Sequence, residues 1–160
     1  MRLPLRFQKP FVVEPLGPDD AETMSHVHAE GFARAWGPHE FAELMEQRTV
    51  FGYAARKEGD RELLGFVLAR LAAGEGEILT IAVKGACRGR GLGWLLMDAV
   101  LRALHRERAE ALFLEVDENN GPAVRLYRRL GFHVVGQRPR YYRENQGQPT
   151  NALVMRRDLS

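Results

Sequence analysis

An α/β fold built around a mixed sheet is predicted by the way short apolar, β-branched runs alternate with longer amphipathic stretches of helical period. Two local signals sharpen that reading. Strand-like runs follow one another between Val50 and Val83 with polar turns between them, and the longest helical pattern begins directly after a glycine-rich turn at residues 88–93. The order along the chain is β-α-α-β-β-β-α-β-α-β-β, with no repeats, linkers or low-complexity tracts.

Residues 1–10 carry Pro4, Pro10 and alternating charge, and are expected to form a mobile leader before a single domain over 11–159. With 160 residues the chain has room for one core. Phe11 to Leu16 reads as the first strand. Gly17-Pro18-Asp19-Asp20 then turns the chain and supplies helix-start chemistry, and Ala21, Met24, Val27 and Phe32 follow at roughly helical spacing, with Gly31 blurring the end. A second helix is expected from Pro38 to Arg48, with Phe41, Leu44 and Met45 on one face. Val50–Arg56 and Leu63–Leu71 read as antiparallel strands joined by the polar turn Lys57–Arg61. Ala73-Gly74-Glu75-Gly76 turns into the strand Ile78–Val83. The long helix, Gly91 to Glu107, should bury Leu92, Leu95, Leu96, Ala99, Ala103 and Leu104. Ala111–Val116 is a short strand. Asn119-Asn120-Gly121-Pro122 opens a further helix, proline lying where no donor is lost, and Leu130-Gly131 ends it. His133–Arg138 and Ala152–Arg156 complete the strands.

Composition narrows the function. The 23 basic and 21 acidic residues leave a formal charge of +2, too balanced for a field that holds nucleic acid or an anionic membrane. Cys87 is the only cysteine, which rules out an internal disulfide and a cysteine metal cluster. The five histidines form no metal-binding pattern, and His26 and His28, two apart on a helix, face different directions. The N-terminus lacks a secretory apolar stretch, and no apolar run approaches the ~20 residues that span a bilayer. A cytoplasmic enzyme or binding module without a metal is the expectation.

The most informative segment is Arg88-Gly89-Arg90-Gly91-Leu92-Gly93. Alternate glycines let the backbone curl so that N–H groups converge on an anion, and the helix that starts there adds unpaired donors and the positive end of its dipole. A solvated arginine loop is the plain alternative. A P-loop needs Lys-Ser or Lys-Thr after the last glycine, where Trp94-Leu95 stands; a dinucleotide fingerprint needs glycine at Trp94. Both nucleotide readings fail.

Arg88-x-x-Gly91-x-Gly93 instead resembles the coenzyme A pyrophosphate signature of the GCN5-related N-acetyltransferases (GNAT), and the order of elements resembles that family over about residues 11–159. The resemblance implies a mixed, mostly antiparallel sheet with a splayed central strand pair and helices on both faces. It implies acetyl-coenzyme A as acetyl donor, contacted by the backbone of Ile81-Ala82-Val83, by the run Arg88, Gly89, Arg90, Gly91, Leu92, Gly93 and Trp94, and by the Asn120 side chain. The Ile81 and Val83 side chains are expected to pack in the core at the same time, and Asn119 or Asn120 to cap a helix.

Glu115 lies within Leu112-Phe113-Leu114-Glu115-Val116, where a carboxylate is costly unless paired, hydrated or functional. An exposed face of a half-buried strand explains it equally well. Tyr127, among apolar helix neighbours, reads first as a core aromatic. Leu114-Glu115-Val116, Asn120, Leu126-Tyr127 and Leu130-Gly131-Phe132 resemble the bacterial ribosomal-protein-alanine N-acetyltransferases within the family. Trp36 with Phe41, Arg140-Tyr141-Tyr142 and Ala152–Met155 do so too. Gly37 departs from the capping Ser or Thr usual there, and Asn151 from an acidic residue. The resemblance implies Glu115 as general base and Tyr127 as general acid. The chemistry suits them, since an amine attacks a thioester only when unprotonated. A peptide α-amine is roughly a quarter to a third unprotonated near neutral pH, a lysine about one part in a thousand.

The expected acceptor is the N-terminus of a peptide or protein, such as a ribosomal protein, in a groove bordered by Phe32, Trp36, Tyr141 and Tyr142. Glu30, Glu40, Glu43 and Glu46 would draw in basic residues. Simple packing explains these aromatics equally well, and two rival functions stay open: acetylation of a small amine, antibiotic or lysine, and a non-catalytic acyl-coenzyme A sensor.

Overall fold

The computed structural model describes residues 9–139 and 150–160. Within them the elements follow the expected order: β1 (Phe11–Pro15), α1 (Ala21–Gly31), α2 (Pro38–Glu46), β2 (Val50–Lys57), β3 (Gly65–Ala72), β4 (Glu75–Val83), α3 (Leu92–Arg106), β5 (Ala111–Asp117), α4 (Gly121–Arg129), β6 (His133–Pro139) and β7 (Asn151–Asp158). The seven strands form one sheet in the order β1-β2-β3-β4-β5-β7-β6. Every adjacent pair is antiparallel except β4 and β5, which are parallel over Glu75↔Ala111, Gly76↔Leu112 and Glu77↔Phe113 only. Residues 1–8 of the expected leader, and Arg140, Tyr141 and Tyr142, lie outside the described residues.

The period-two alternation of strand side chains divides the interior between the two faces of the sheet. On β3, Phe66 and Leu68 join a core with Met24, Val27 and Phe41 of α1 and α2, whereas Val67 and Ala69 join one with α3 and α4. All four are fully buried, as befits a strand covered on both sides. Asp20 anchors the entry to α1, its carboxylate accepting from Gly17 N–H at 2.8 Å and pairing with Arg56 of β2 at 2.7 Å.

Most boundaries moved by a residue or two, as helix ends do. The second helix stops at Glu46 rather than Arg48, and the strand expected from Leu63 starts at Gly65, although Leu63 and Leu64 are buried. The buried stripe of α3 is a larger correction. It comprises Leu92, Leu96, Met97, Val100, Leu101 and Leu104; Leu95 is exposed and Ala99 and Ala103 are half-buried. Apolar residues lie on more than one side of this helix, and contact with β2, β3 and β4 selects the side that is covered. No helix among the described residues is long and apolar enough to cross a membrane.

Gly76 sits where β4 and β5 meet. A Cβ there would stand 2.7 Å from Leu104 Cδ1 and 3.2 Å from Leu112 Cδ1, so α3 closes on the strand junction because that side chain is missing. Gly76→Val should overpack the junction and destabilise the fold by about 1–3 kcal/mol, read as a lower urea midpoint at unchanged m-value.

Candidate active site at the parting of two strands

Beyond Glu77 and Phe113 the parallel pairing ends and β4 and β5 separate. A bulge accompanies the parting: Leu68 faces Thr80 and Ala69 faces Ile78, which leaves Leu79 as an extra residue on β4. The space between the strands opens into a cleft of about 780 Å³, bordered by β4 from Glu77 to Ile81, by β5 from Phe113 to Asp117, by α4, and by the end of α1 with the connection that follows it.

The hydrogen-bond alternation on β4 determines what faces this gap. Lys84 N–H donates to Leu64 O at 2.8 Å, on the β3 side. By alternation Ala82 also pairs with β3, opposite Phe66, while the N–H and C=O groups of Ile81 and Val83 point the other way. Two of the three β4 residues expected to meet a ligand are therefore suited to it through their backbone. Ala82 is not: its backbone is committed to β3 and its side chain to the α1–α2 core.

The glycine-rich turn follows β4 through a 3-10 turn at Gly85–Cys87. Gly89 and Gly91 have φ of +79° and +83°, and no heavy atom lies within 4 Å of a Cβ built on either. Gly91 is the N-cap of α3 and no side chain caps that end. The first main-chain bond of the helix is Leu95 N–H to Gly91 O, so the N–H groups of Leu92, Gly93 and Trp94 project from the helix start without intrahelical acceptors. Gly93 has a different role: a Cβ there would stand 3.1 Å from Leu126 Cδ2, so its absence lets α4 approach α3. Arg88 reaches the end of α1, its Nη2 lying 3.4 Å from where a Gly31 Cβ would be, and Trp94 is 47% exposed. The turn does not border the cleft itself; β4 and α4 connect the two.

Glu115 is exposed to the cleft, on the face of β5 opposite the buried Leu112, Leu114 and Val116. Its carboxylate is not buried in a strand core. Arg138 of β6 holds it, Nη1 lying 3.1 Å from Oε1. Tyr127 lies on the buried face of α4, edge-on to Phe132, and reaches the same cleft. Burial pushes its phenol up to about 12. Asn120 caps α4, its Oδ1 accepting from Ala123 N–H at 3.3 Å, and borders the cleft as well.

On the opposite wall, Phe32 and Trp36 come together through His28, whose ring stacks on Phe32 at 4.1 Å and on Trp36 at 5.2 Å. His28 was passed over in the sequence because it completes no metal pattern. It is 2% exposed, and burial lowers its imidazolium to about 4 against the opposing field of Glu40. Its position four residues after Met24, on the buried side of α1, was the available signal. Thr80 and Arg138 were also missed. The acidic groups that border the cleft are Glu77, Glu115 and Asp117, and none of Glu30, Glu40, Glu43 and Glu46 does so. Glu40 accepts from Gly37 N–H at the start of α2, and Glu43 pairs with His39. Among the described residues no group of His, Cys, Asp and Glu is arranged to hold a metal ion.

Residues 21–132 match the acetyltransferase (GNAT) family. The chain is 33% identical over 156 residues to the N-alpha-acetyltransferase RimI of Mycobacterium tuberculosis, covering 94% of each. It is 29% identical over 142 residues to the [ribosomal protein bS18]-alanine N-acetyltransferase of Haemophilus influenzae, covering 82% of this chain and 95% of that one. The crystal structure of the ribosomal-protein-S18-alanine N-acetyltransferase from Escherichia coli has the same fold, with a TM-score of 0.84 at 23% identity over 94% of this chain and 95% of that one. So does Arabidopsis thaliana NAA60 in complex with acetyl-CoA, with a TM-score of 0.82 at 23% identity over 94% and 99%.

The raised phenol of Tyr127 has a stability consequence of definite sign. Its folded pKa of about 12 exceeds an unfolded value of about 10, so the unfolded chain loses this proton first as pH rises. The contribution is complete below pH ~10 and is lost towards pH 12. Between those limits the wild type should lose about 2–3 kcal/mol more stability than Tyr127→Phe, measured by urea unfolding at each pH.

Proposed function

The chain belongs to the acetyltransferase (GNAT) family, and on that premise we propose that it moves an acetyl group from acetyl-coenzyme A to the N-terminal α-amine of a protein, with Glu115 as base and Tyr127 as acid. One observation carries the assignment: Glu115 and Tyr127, from different elements, border a single cleft where β4 and β5 part.

The residues present suit the donor. Ile81 and Val83 turn unpaired backbone groups into the gap, as an extended amide-bearing arm requires. Gly89 and Gly91 leave open space over a turn whose N–H groups, with Arg88 and Arg90, suit a pyrophosphate. Trp94 is exposed beside them, and Asn120 keeps its amide N–H donors while its oxygen caps α4. Bound there, acetyl-coenzyme A supplies an acetyl thioester. The chain's own groups manage the protons. Glu115, oriented by Arg138, takes the proton of the incoming amine, directly or through water. The Val83 N–H is a donor of the kind that stabilises a developing oxyanion. Tyr127 keeps its proton across the working pH range and, as a very weak acid, serves the departing sulfur mainly by a hydrogen bond.

The acceptor reading rests on two supports: the relatives named above include an N-alpha-acetyltransferase and a ribosomal-protein-alanine N-acetyltransferase, and the cleft is bordered by Glu77 and Asp117 as well as Glu115. These carboxylates favour an acceptor whose residues after the first are basic, and a ribosomal protein of the cytoplasm is the proposed partner.

Glu115→Gln should lower turnover about 10²- to 10⁴-fold, with much of the loss recovered at high pH where the amine deprotonates unaided. Tyr127→Phe should lower turnover with little change in affinity for acetyl-coenzyme A by calorimetry. Near-normal turnover in both variants would make the two residues structural. In a separate assay, a free alanine-starting peptide with basic residues should be acetylated, more slowly as salt is added, and its N-terminally blocked form not at all. Equal rates on a blocked peptide bearing a free lysine, or activity on polyamines alone, would reject the acceptor.

A further inference from the structure

The α1 wall of the cleft contains a chain of hydrogen bonds that the chemistry above does not use. Ser25 Oγ–H donates to Trp36 O at 2.8 Å, and Trp36 N–H donates to His28 Nδ1 at 3.1 Å. Both backbone polar groups of Trp36 are thus held by side chains of α1. A neutral imidazole has one ring proton, and with Nδ1 accepting from an N–H that proton must sit on Nε2. Nε2 stands 3.1 Å from Thr80 Oγ1, so the hydroxyl oxygen accepts there and its own hydrogen is left to be donated elsewhere. Thr80 adjoins the bulged Leu79 on β4, and the open space it meets is the cleft. A buried imidazole between two fixed partners costs more than an apolar side chain unless every polar atom is matched. Here each ring nitrogen has one partner, and the chain of hydrogen bonds ends at Thr80, on the wall of the cleft.

We propose that His28 is a positioning residue for the acceptor, clamping the connection between α1 and α2 onto β4 and setting the Thr80 hydroxyl to donate to the carbonyl oxygen of the acceptor's first residue. This rests on the α-amine reading of the site. Every peptide α-amine has a carbonyl beside it and a polyamine has none, so the device selects peptide ends by the group next to the reacting nitrogen.

Thr80→Val keeps the side-chain shape and removes the hydroxyl. It should raise KM for a free alanine-starting peptide by about 3- to 10-fold, leave KM for acetyl-coenzyme A unchanged, and be partly reversed in Thr80→Ser. For the same peptide with its first carbonyl reduced to a methylene, wild type and Thr80→Val should have equal KM. His28→Phe keeps the ring on Phe32 and breaks both hydrogen bonds, so it should raise peptide KM as well, and His28→Asn, whose Oδ1 can replace Nδ1, should recover part of the loss. Long-range nitrogen–proton correlation on the wild-type protein reads the clamp without turnover and should show Nε2 protonated and Nδ1 bare. A proton on Nδ1, an unchanged peptide KM in Thr80→Val, or an equal loss on the reduced peptide would each overturn the inference while leaving the acetyl transfer intact. A wild type that acetylates no peptide at all would overturn the acceptor reading, and the role of Thr80 with it.

Discussion

The pairing of β4 with β5 stops after three residue pairs, and the site follows from that stop. Each strand is bound elsewhere. β5 pairs with β7 from Ala111↔Asp158 to Asp117↔Ala152, and β4 pairs with β3 from Ala72↔Glu75 to Gly65↔Val83. The two antiparallel halves keep their own registers and share only the Glu75–Glu77 edge. The extra residue at Leu79 bends β4 as it leaves that edge. In an ordinary sheet interior, unpaired backbone groups at Ile81 and Val83 would carry a penalty comparable to lost hydrogen bonds. Here they border a gap, and in the proposed function an extended, amide-rich molecule fills it.

The helices tie the pieces of the site together. α3 begins at Gly91 with its donors projecting, and Leu104 near its other end packs over Gly76 at the strand junction. α4 lies against α3 because Gly93 leaves room for Leu126, and its next residue, Tyr127, borders the cleft. The glycine-rich turn and Tyr127 are therefore coupled by one close helix contact. On the other side of the sheet, α1 meets β4 through His28 and Thr80, and Trp36 is held against the same imidazole.

Environment divides the labour between the two proposed catalytic groups. Glu115 is exposed to the cleft and paired with the Arg138 guanidinium. Tyr127 is buried and its phenol stays protonated far above neutral pH. In the proposed mechanism the two groups reach one cleft from different elements, Glu115 from β5 and Tyr127 from α4.

Much of this was legible in the residues alone. The period of the apolar pattern specifies the elements and their order, because period two and period 3.6 bury different faces. Gly89 and Gly91 announce a turn with positive φ, Asn120-Gly121-Pro122 a helix start and Leu130-Gly131 a helix end, because each depends on local backbone sterics. The residues alone left Glu115 and Tyr127 open between packing and catalysis, and only the family resemblance gave them roles. What is not local was not legible. Either of two apolar stripes on α3 could have been covered, and only contact with the sheet chose the one containing Met97 and Val100. Ala82 differs from Ile81 and Val83 solely in which way its backbone faces, a matter of register with β3. Glu115 proved to border a cleft and to hold Arg138, a partner that arrives through β6 pairing with β7. His28 looked like an unmatched histidine because its partners, Trp36 eight residues on and Thr80 in another element, become neighbours only when α1 packs on β4. The sequence by itself determined the elements, their order and the chemical types at the site, since these follow from short-range sterics and hydrophobic period. The parting of β4 from β5, the pairing of Glu115 and the tautomer of His28 were decided by tertiary structure, since each depends on which distant groups the packing brings within a hydrogen bond.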